Sequence, residues 1–306
     1  MSNKSNALLT EIANKVIKLM ETEGLNWSKP WITKTRNEGQ PISIYKKNYR
    51  GINRWHLGMV MALEGYNSPV FATFAKWKAV GAKIKKGEKS HEVFLFKPWS
   101  KEIINDEGEP ETIGGLKTDT FRVFNADQVE GWDGNWLTDD KSDEQEQTWD
   151  DVELADMIIN SSGANIQHRN QDQAFYMPSL DQIIMPERKQ FKDDSGYYGT
   201  MFHELVHWTG SKERLDRKFG TRRGDDNYAK EELVAELGAA MLSGIAKVDV
   251  EPRADHATYL NGWIKGLKDQ PKMIMTAASN AEKAAQFIID SASKTNELIS
   301  TLIAAE

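Results

Sequence analysis

The sequence predicts an α+β chain in two domains, and three observations carry that prediction. Apolar residues recur at helical spacing over much of the chain, whereas runs rich in Val and Phe that read as strands are few and short. Charge, in turn, is sorted into blocks. Residues 1–100 hold 17 Lys and Arg against 7 Glu and no Asp, a net of +10. Residues 101–160 hold 4 basic and 18 acidic side chains, a net of −14, and residues 161–306 hold 18 and 21, a net of −3. A chain of 306 residues can bury two modest cores. The expected division is a basic, aromatic-rich domain over 1–130, an acidic linker over 131–151 and a second domain over 152–306.

Taken in order, Leu8, Leu9, Ile12, Val16, Leu19 and Met20 mark an amphipathic helix that Gly24 stops. NWSKPW reads as a tryptophan-rich turn. A second helix is expected over 53–63, ended near Gly65, and a third over 71–80, ended by Gly81. HEVFLFK and DTFRVFN read as strands, and the acidic stretch between them as an exposed hairpin extension. DGNWLTDDKSDEQEQTWDD is polar enough to serve as the linker. Beyond it come a helix over 152–160, short strands over 174–177 and 182–185, and a helix bearing GTMFHELVHWTG. Asp226 or Asn227 caps a further helix, AKEELVAELGAAML, expected to end near Gly244, and two or three Ala-rich helices complete the chain.

Composition excludes several classes. With no cysteine, disulfides and thiolate metal sites are ruled out. No run approaches the roughly 20 apolar residues of a membrane span. MSNKSNALLTEIANK carries Glu11 within its apolar pattern and has no signal-peptide core, so a cytoplasmic location without a membrane partner is expected.

On a helix, His203 and His207 project from one face and can aim at a common point. Two imidazoles at that spacing suit Zn2+, or another divalent transition metal such as Mn2+. Glu204 lies about 100° round the helix, beside the metal, where it can take a proton from water. EELVAE offers a third ligand. Glu232 and Glu236 share a face and Glu231 is expected to point elsewhere. That favours Glu232 as ligand over Glu231 or Glu236, with Glu236 orienting a ligating histidine. An open fourth position points to peptide hydrolysis, with an unidentified host protein as possible substrate. His256 and Tyr259 are candidates for stabilising an oxyanion, and His168 for an auxiliary ligand. A strand edge near 183–185 is expected to align a peptide beside the metal helix. The bland alternative is a core helix with two hydrogen-bonded histidines.

In the first block, cations and rings alternate: YKKNYRGINRW, FAKWK, KIKKGEK. Single-stranded nucleic acid wants this combination, with cations along its backbone and flat rings under its bases. The candidate contacts are Trp27, Trp31, Tyr45, Lys46, Lys47, Tyr49, Arg50, Arg54, Trp55, Lys76, Trp77, Lys78, Lys83, Lys85 and Lys86. Phe74, Phe94 and Phe96 read as core. No signature of sequence-specific duplex reading occurs.

NWSKPW, NYRGINRW, FATFAKWKAVGAKIKKGEKSHEVFLFKPW and FRVFNADQVEG resemble the N-terminal domain of ArdC-type antirestriction proteins. HELVHWTG, KEELVAELGAAML and HATYLNGWIKGLK resemble the zincin-type C-terminal domain of the same family, and the likeness covers nearly the whole chain. The resemblance implies a plasmid-carried protein of bacterial conjugation. It further implies a single-stranded-DNA-binding first domain and a gluzincin-type metallopeptidase second domain. By it, His203, Glu204 and His207 are the metal-helix residues, and Glu232 matches the first acid of the family's E-x-x-A-E segment. The acidic stretch 101–118 is longer than a minimal version of the domain. Two other functions compete: a non-catalytic DNA binder with a structural metal, and a metallopeptidase whose basic surface is incidental.

Overall fold

The computed structural model describes residues 3–104, 110–134, 136, 151–220, 226–248 and 257–295. The chain opens with helix α1 (Asn3–Glu23), whose Leu8, Leu9, Ile12, Val16 and Met20 are all buried, as their spacing requires. NWSKPW does more than turn: it leads into α2 (Lys29–Glu38), with proline in the first helical turn, where its missing N–H costs nothing.

A four-stranded sheet follows, with strand order β1 (Ile42–Ser43), β2 (Val70–Ala72), β5 (Pro110–Asn125), β4 (His91–Ile104). Strands β1 and β2 run parallel; the other pairs are antiparallel. Between β1 and β2 lies α3 (Gly51–Glu64), closed by Gly65 in the left-handed region. The helix expected over 71–80 is divided. Phe71 pairs with Ser43 and Asn125 inside the sheet, so α4 spans only Phe74–Ala79. Strands β4 and β5 pair from His91 opposite Val123 out to Ile104 opposite Pro110, so the expected hairpin extension is a continuous ladder. Two short strands, β3 (Lys83–Ile84) and β6 (Val129–Glu130), form a separate ribbon.

After α5 (Asp151–Asn160) comes a three-stranded sheet in the order β7 (Asn165–Arg169), β9 (Gln182–Pro186), β8 (Phe175–Met177). This order overturns one expectation. Residues 183–185 lie in the buried central strand, with Ile183 and Ile184 paired on both sides and Met185 with β7, so the strand is not the sheet's edge. The edges are β7 and β8. Helices α6 (Asp194–Thr209), α7 (Asp226–Ala246), α8 (Ala257–Asp269) and α9 (Lys272–Thr295) complete the chain.

The largest apolar cluster draws on both segments: Ile12 and Val16 of α1, Trp31 of α2, Trp55 of α3, Leu237 and Met241 of α7, and Ile288 of α9. Close approaches explain two glycines. A side chain at Gly58 would collide with the Trp31 indole, and a Cβ at Gly244 would lie 2.7 Å from Gln40 Nε2. Helix α7 ends at Ala246, close to Gly244 as expected, and the glycine lets α2 and the residues after it approach the helix there. The Gly51 N–H donates to the Glu282 carboxylate of α9, whose burial pushes its pKa up. The Asn53 side chain donates to Phe94 O at 2.7 Å and accepts from Phe94 N–H at 2.8 Å, which stitches α3 to β4. No described helix is long and apolar enough to cross a membrane.

Candidate metal centre and nucleic-acid face

Helix α6 is capped by Asp193, whose carboxylate accepts from Gly196 N–H at 2.9 Å. The helix is buried along most of its length, and His203 and His207 sit on adjacent turns with Nε2 atoms 3.0 Å apart. Glu232, from α7, completes a triangle: its Oε2 is 3.5 Å from His203 Nε2 and its Oε1 is 3.5 Å from His207 Nε2. A tetrahedral ion with bonds near 2.0–2.1 Å has ligand-to-ligand edges of about 3.3–3.4 Å. With one Glu232 oxygen facing each imidazole, the three side chains offer a divalent metal one ligand atom apiece, all within 4.8 Å of one another.

Electrostatics point the same way. Burial disfavours a charged His207, yet hydrogen bonds to Glu231 and Glu232 override it and push the imidazole up to about 10. Burial likewise opposes ionisation of Glu232, but His203 and His207 hold its carboxyl well below the ordinary range. A buried group of carboxylates demands a cation, and here two neutral imidazoles and a metal can replace the proton.

Glu204 is 3% exposed and its Oε2 accepts from the Tyr176 N–H of β8 at 2.9 Å. Glu231 corrects an expectation. Instead of pointing elsewhere, its Oε1 lies 3.3 Å from His207 Nδ1, because His207 sits over the arc between Glu231 and Glu232 and faces both. Glu231 is itself held by Arg217, with Nη2 to Oε1 at 2.7 Å and Nε to Oε2 at 3.0 Å. Arg217 also donates to Val206 O, which fixes its plane against α6. Glu236 Oε2 stands 3.8 Å from His203 Nδ1, within ion-pair reach but beyond a hydrogen bond. Tyr259 meets Tyr228 hydroxyl to hydroxyl at 3.3 Å, and burial, with the Tyr259 hydroxyl and the Glu232 charge adding, pushes the Tyr228 pKa up. Both tyrosines line a cleft of about 830 Å³ that holds the triad and Glu204. His168 is placed apart, bonded at 3.0 Å to the Tyr197 hydroxyl and stacked on that ring, so it supplies no ligand. His256 lies outside the described residues. Sequence reasoning missed Tyr228, although its place four residues before Glu232 puts it on the same helical face. Arg217 gave no signal, since a loop carries it.

The aromatic block divides sharply. Trp27, Trp31, Trp55 and Trp77 are at most 3% exposed, so their rings fill cores and are closed to bases. Arg54 is also buried, donating to Gln40 Oε1 at 3.2 Å, and Tyr49 is half-buried against Phe71. Tyr45, Lys46, Lys47, Arg50, Lys76, Lys78, Lys83, Lys85 and Lys86 are exposed. Phe94 is core, as expected, whereas Phe74 is 61% exposed and Phe96 38%.

Two histidines on one helix, a glutamate beside them and a third carboxylate from the next helix define a zincin-like metallopeptidase fold, whose architecture implies a divalent metal. Residues 153–280 match the model for a zincin-like metallopeptidase, and residues 6–129 the model for the N-terminal domain of anti-restriction factor ArdC. Two crystal structures of the antirestriction ArdC protein from plasmid R388, one metal-free and one Mn(II)-bound, superpose with a TM-score of 0.73 at 32% identity. They cover 94% of this chain, which spans 98% and 99% of theirs. An uncharacterised protein, y4eC of Sinorhizobium fredii (strain NBRC 101917 / NGR234), is 32% identical over 282 residues, 90% of each chain. Two Escherichia coli proteins named DNA primase TraC are 36% and 32% identical over 91% of this chain, which spans only 19% and 27% of their lengths. The chain belongs to the ArdC-type antirestriction family.

Proposed function

We propose that this chain is a plasmid-encoded antirestriction protein that binds single-stranded DNA entering a recipient cell during conjugation and hydrolyses a peptide bond in a host protein. One observation supports the hydrolytic half above all. The ligand atoms of His203, His207 and Glu232 stand 3.0–3.5 Å apart, with the buried Glu204 carboxylate beside them and outside the triangle.

His203, His207 and Glu232 would hold zinc or manganese. Bound there, the ion supplies Lewis acidity, polarising a carbonyl and lowering the pKa of water. Glu204, oriented by the Tyr176 N–H, takes the proton from the attacking water and passes it to the departing amine. The Tyr228 and Tyr259 hydroxyls reach into the same cleft and donate to the oxygen on which negative charge develops. Glu231, clamped by Arg217, fixes the His207 ring through Nδ1. The amino-terminal segment, with its net of +10, draws the strand in and lets the protein coat it.

Glu204→Gln tests the chemistry. It should keep the metal and lose hydrolysis of an unfolded protein substrate by roughly 10²–10⁴-fold. Unchanged protection of incoming DNA in that variant would make hydrolysis dispensable to antirestriction. For the strand, mobility shifts over a salt series should favour single over double strands and weaken steeply with salt. Equal, salt-insensitive affinities would remove that part.

A further inference from the structure

The four tryptophans being buried, the strand needs other rings, and the fold supplies them at one place. We infer that Tyr45 and Phe74 form the base-stacking platform for single-stranded DNA, flanked by Lys46, Lys47, Lys76 and Lys78; this rests on the strand-binding reading above.

Topology brings the two ring-bearing segments side by side. Strands β1 and β2 are parallel, so their carboxyl ends lie side by side. Tyr45 emerges two residues past the end of β1, and Phe74 two residues past the end of β2. Lys76, on the same short helix as Phe74, carries its Nζ 5.1 Å above the Tyr45 ring. Tyr45 is 40% exposed and Phe74 61%; among the described large apolar residues only Leu180 is more open than Phe74. Exposing a phenylalanine forgoes the burial free energy that Trp77, three residues on, gains.

Both rings stand on rigid supports. The Tyr45 turn is tied by the Ser43 hydroxyl, which accepts from the N–H groups of Tyr45 and Lys47, and by Lys46 N–H to Ser43 O at 2.9 Å. Lys46 takes φ +55° there. Helix α4 is pinned by Trp77, whose indole N–H donates to Phe124 O at 3.0 Å, over a cluster containing Ile44, Val70 and Val129. A preformed platform loses little entropy when a base lands on it.

Charge selects the occupant. No Asp or Glu occurs between Glu38 and Glu64, nor between Glu64 and Glu88, so the segments bearing both rings are purely cationic. Exposed rings among lysines match a polyanion whose bases are unpaired; a duplex hides those base faces.

The test uses the full-length protein and a labelled oligothymidylate of about 16 nucleotides, read by fluorescence anisotropy. Tyr45→Ala and Phe74→Ala should each weaken binding roughly tenfold or more, and Tyr45→Phe and Phe74→Tyr should restore it. Lys76→Gln should flatten the slope of log affinity against log salt by about 0.7. Leu180→Ala, equally exposed but in the turn before β9, should change nothing. If the unmodified protein binds and the two alanine variants bind as well as it does, the platform is wrong, while the strand-binding reading stands. If the unmodified protein does not bind, that reading fails and takes the platform with it. If Phe74→Ala instead dissociates a dimer in sedimentation, the ring belongs to a self-association surface and the inference is overturned.

Discussion

The metal cleft and the basic face of the amino-terminal segment handle charge in opposite ways. In the cleft, His203, Glu204, Glu231 and Glu232 are all under 10% exposed, and each has defined partners within 4 Å. On the face, Lys46, Lys47, Lys76 and Lys78 are exposed; Lys46 and Lys76 lie over the Trp136 and Tyr45 rings, and the pull of the group on a polyanion comes from number and spacing. The difference teaches where single changes bite. Buried charges in a low dielectric depend on one another, so losing one leaves the rest uncompensated. Exposed charges act nearly additively, each worth a fraction of the whole.

The sharpest way to break that contrast is His207→Ala. Elemental analysis should find the bound divalent metal lost altogether, while affinity for single-stranded DNA stays within twofold or so, given sites with no shared partner. A parallel loss of DNA binding would mean the two regions are coupled and the contrast false.

Next in size is a change that reaches both. Trp31 packs against Trp55 with ring centroids 6.2 Å apart, in the cluster that also holds helices α7 and α9. Trp31→Ala should cost about 3–5 kcal/mol in chemical denaturation. Metal retention and DNA binding should disappear in one transition, since one core supports both. Two separate transitions would show the segments fold independently.

Within the cleft, Glu231→Gln should weaken metal affinity by roughly 10–100-fold, measured by competition with a chelator. Arg217 would then face a neutral amide, so Arg217→Met combined with Glu231→Gln should cost less than the two single changes summed.

These cases also explain how much the sequence revealed. His203, Glu204, His207 and Glu232 come together in the cleft because helical spacing fixes direction: four residues mean one face, and adjacent helices face one another across a core. Glu231 departs from its helical-wheel direction because a wheel says which way a side chain starts, not which partner spans two arcs. Arg217 reaches the site from a loop, where no periodicity exists to read. In the amino-terminal segment, residue type was the only guide, and Trp suits a core and a stacking surface equally well. Burial of Trp27, Trp31, Trp55 and Trp77, and exposure of Phe74, follow from long-range packing such as the Trp31–Gly58 contact. The strand at 182–185 was located, yet its place at the sheet's centre depends on β7, which leaves only a weak alternating signal.

Acid offers a smaller and broader test. His56, on α3, is 2% exposed and its pKa is lowered to about 3, chiefly by burial, with Lys15 and His91 adding and a backbone hydrogen bond to Glu92 opposing. The unfolded chain therefore takes up a proton near pH 6.5 that the folded chain refuses until about pH 3. Above pH 6.5 this group makes no difference; as pH falls through that window stability declines, by about 2 kcal/mol between pH 7 and 5. His56→Gln should flatten that decline in denaturant titrations at the two pH values. Because His56 belongs to neither site, His56→Gln should leave metal retention and DNA binding at pH 7 unchanged.

The smallest effect is the most discriminating. Phe74→Ala removes a ring from water, and Trp77→Ala removes one from the interior of the same six-residue helix. Loss of Trp77 creates a cavity and strips Phe124 O of its indole donor, for about 3–5 kcal/mol. Loss of Phe74 creates no cavity and breaks no hydrogen bond, so stability should move by no more than about 0.5 kcal/mol. A large destabilisation on Phe74→Ala would place that ring in packing after all and return it to the core. An unchanged midpoint leaves an apolar ring held in water among lysines, a position that folding does not require and that a stacked base would use.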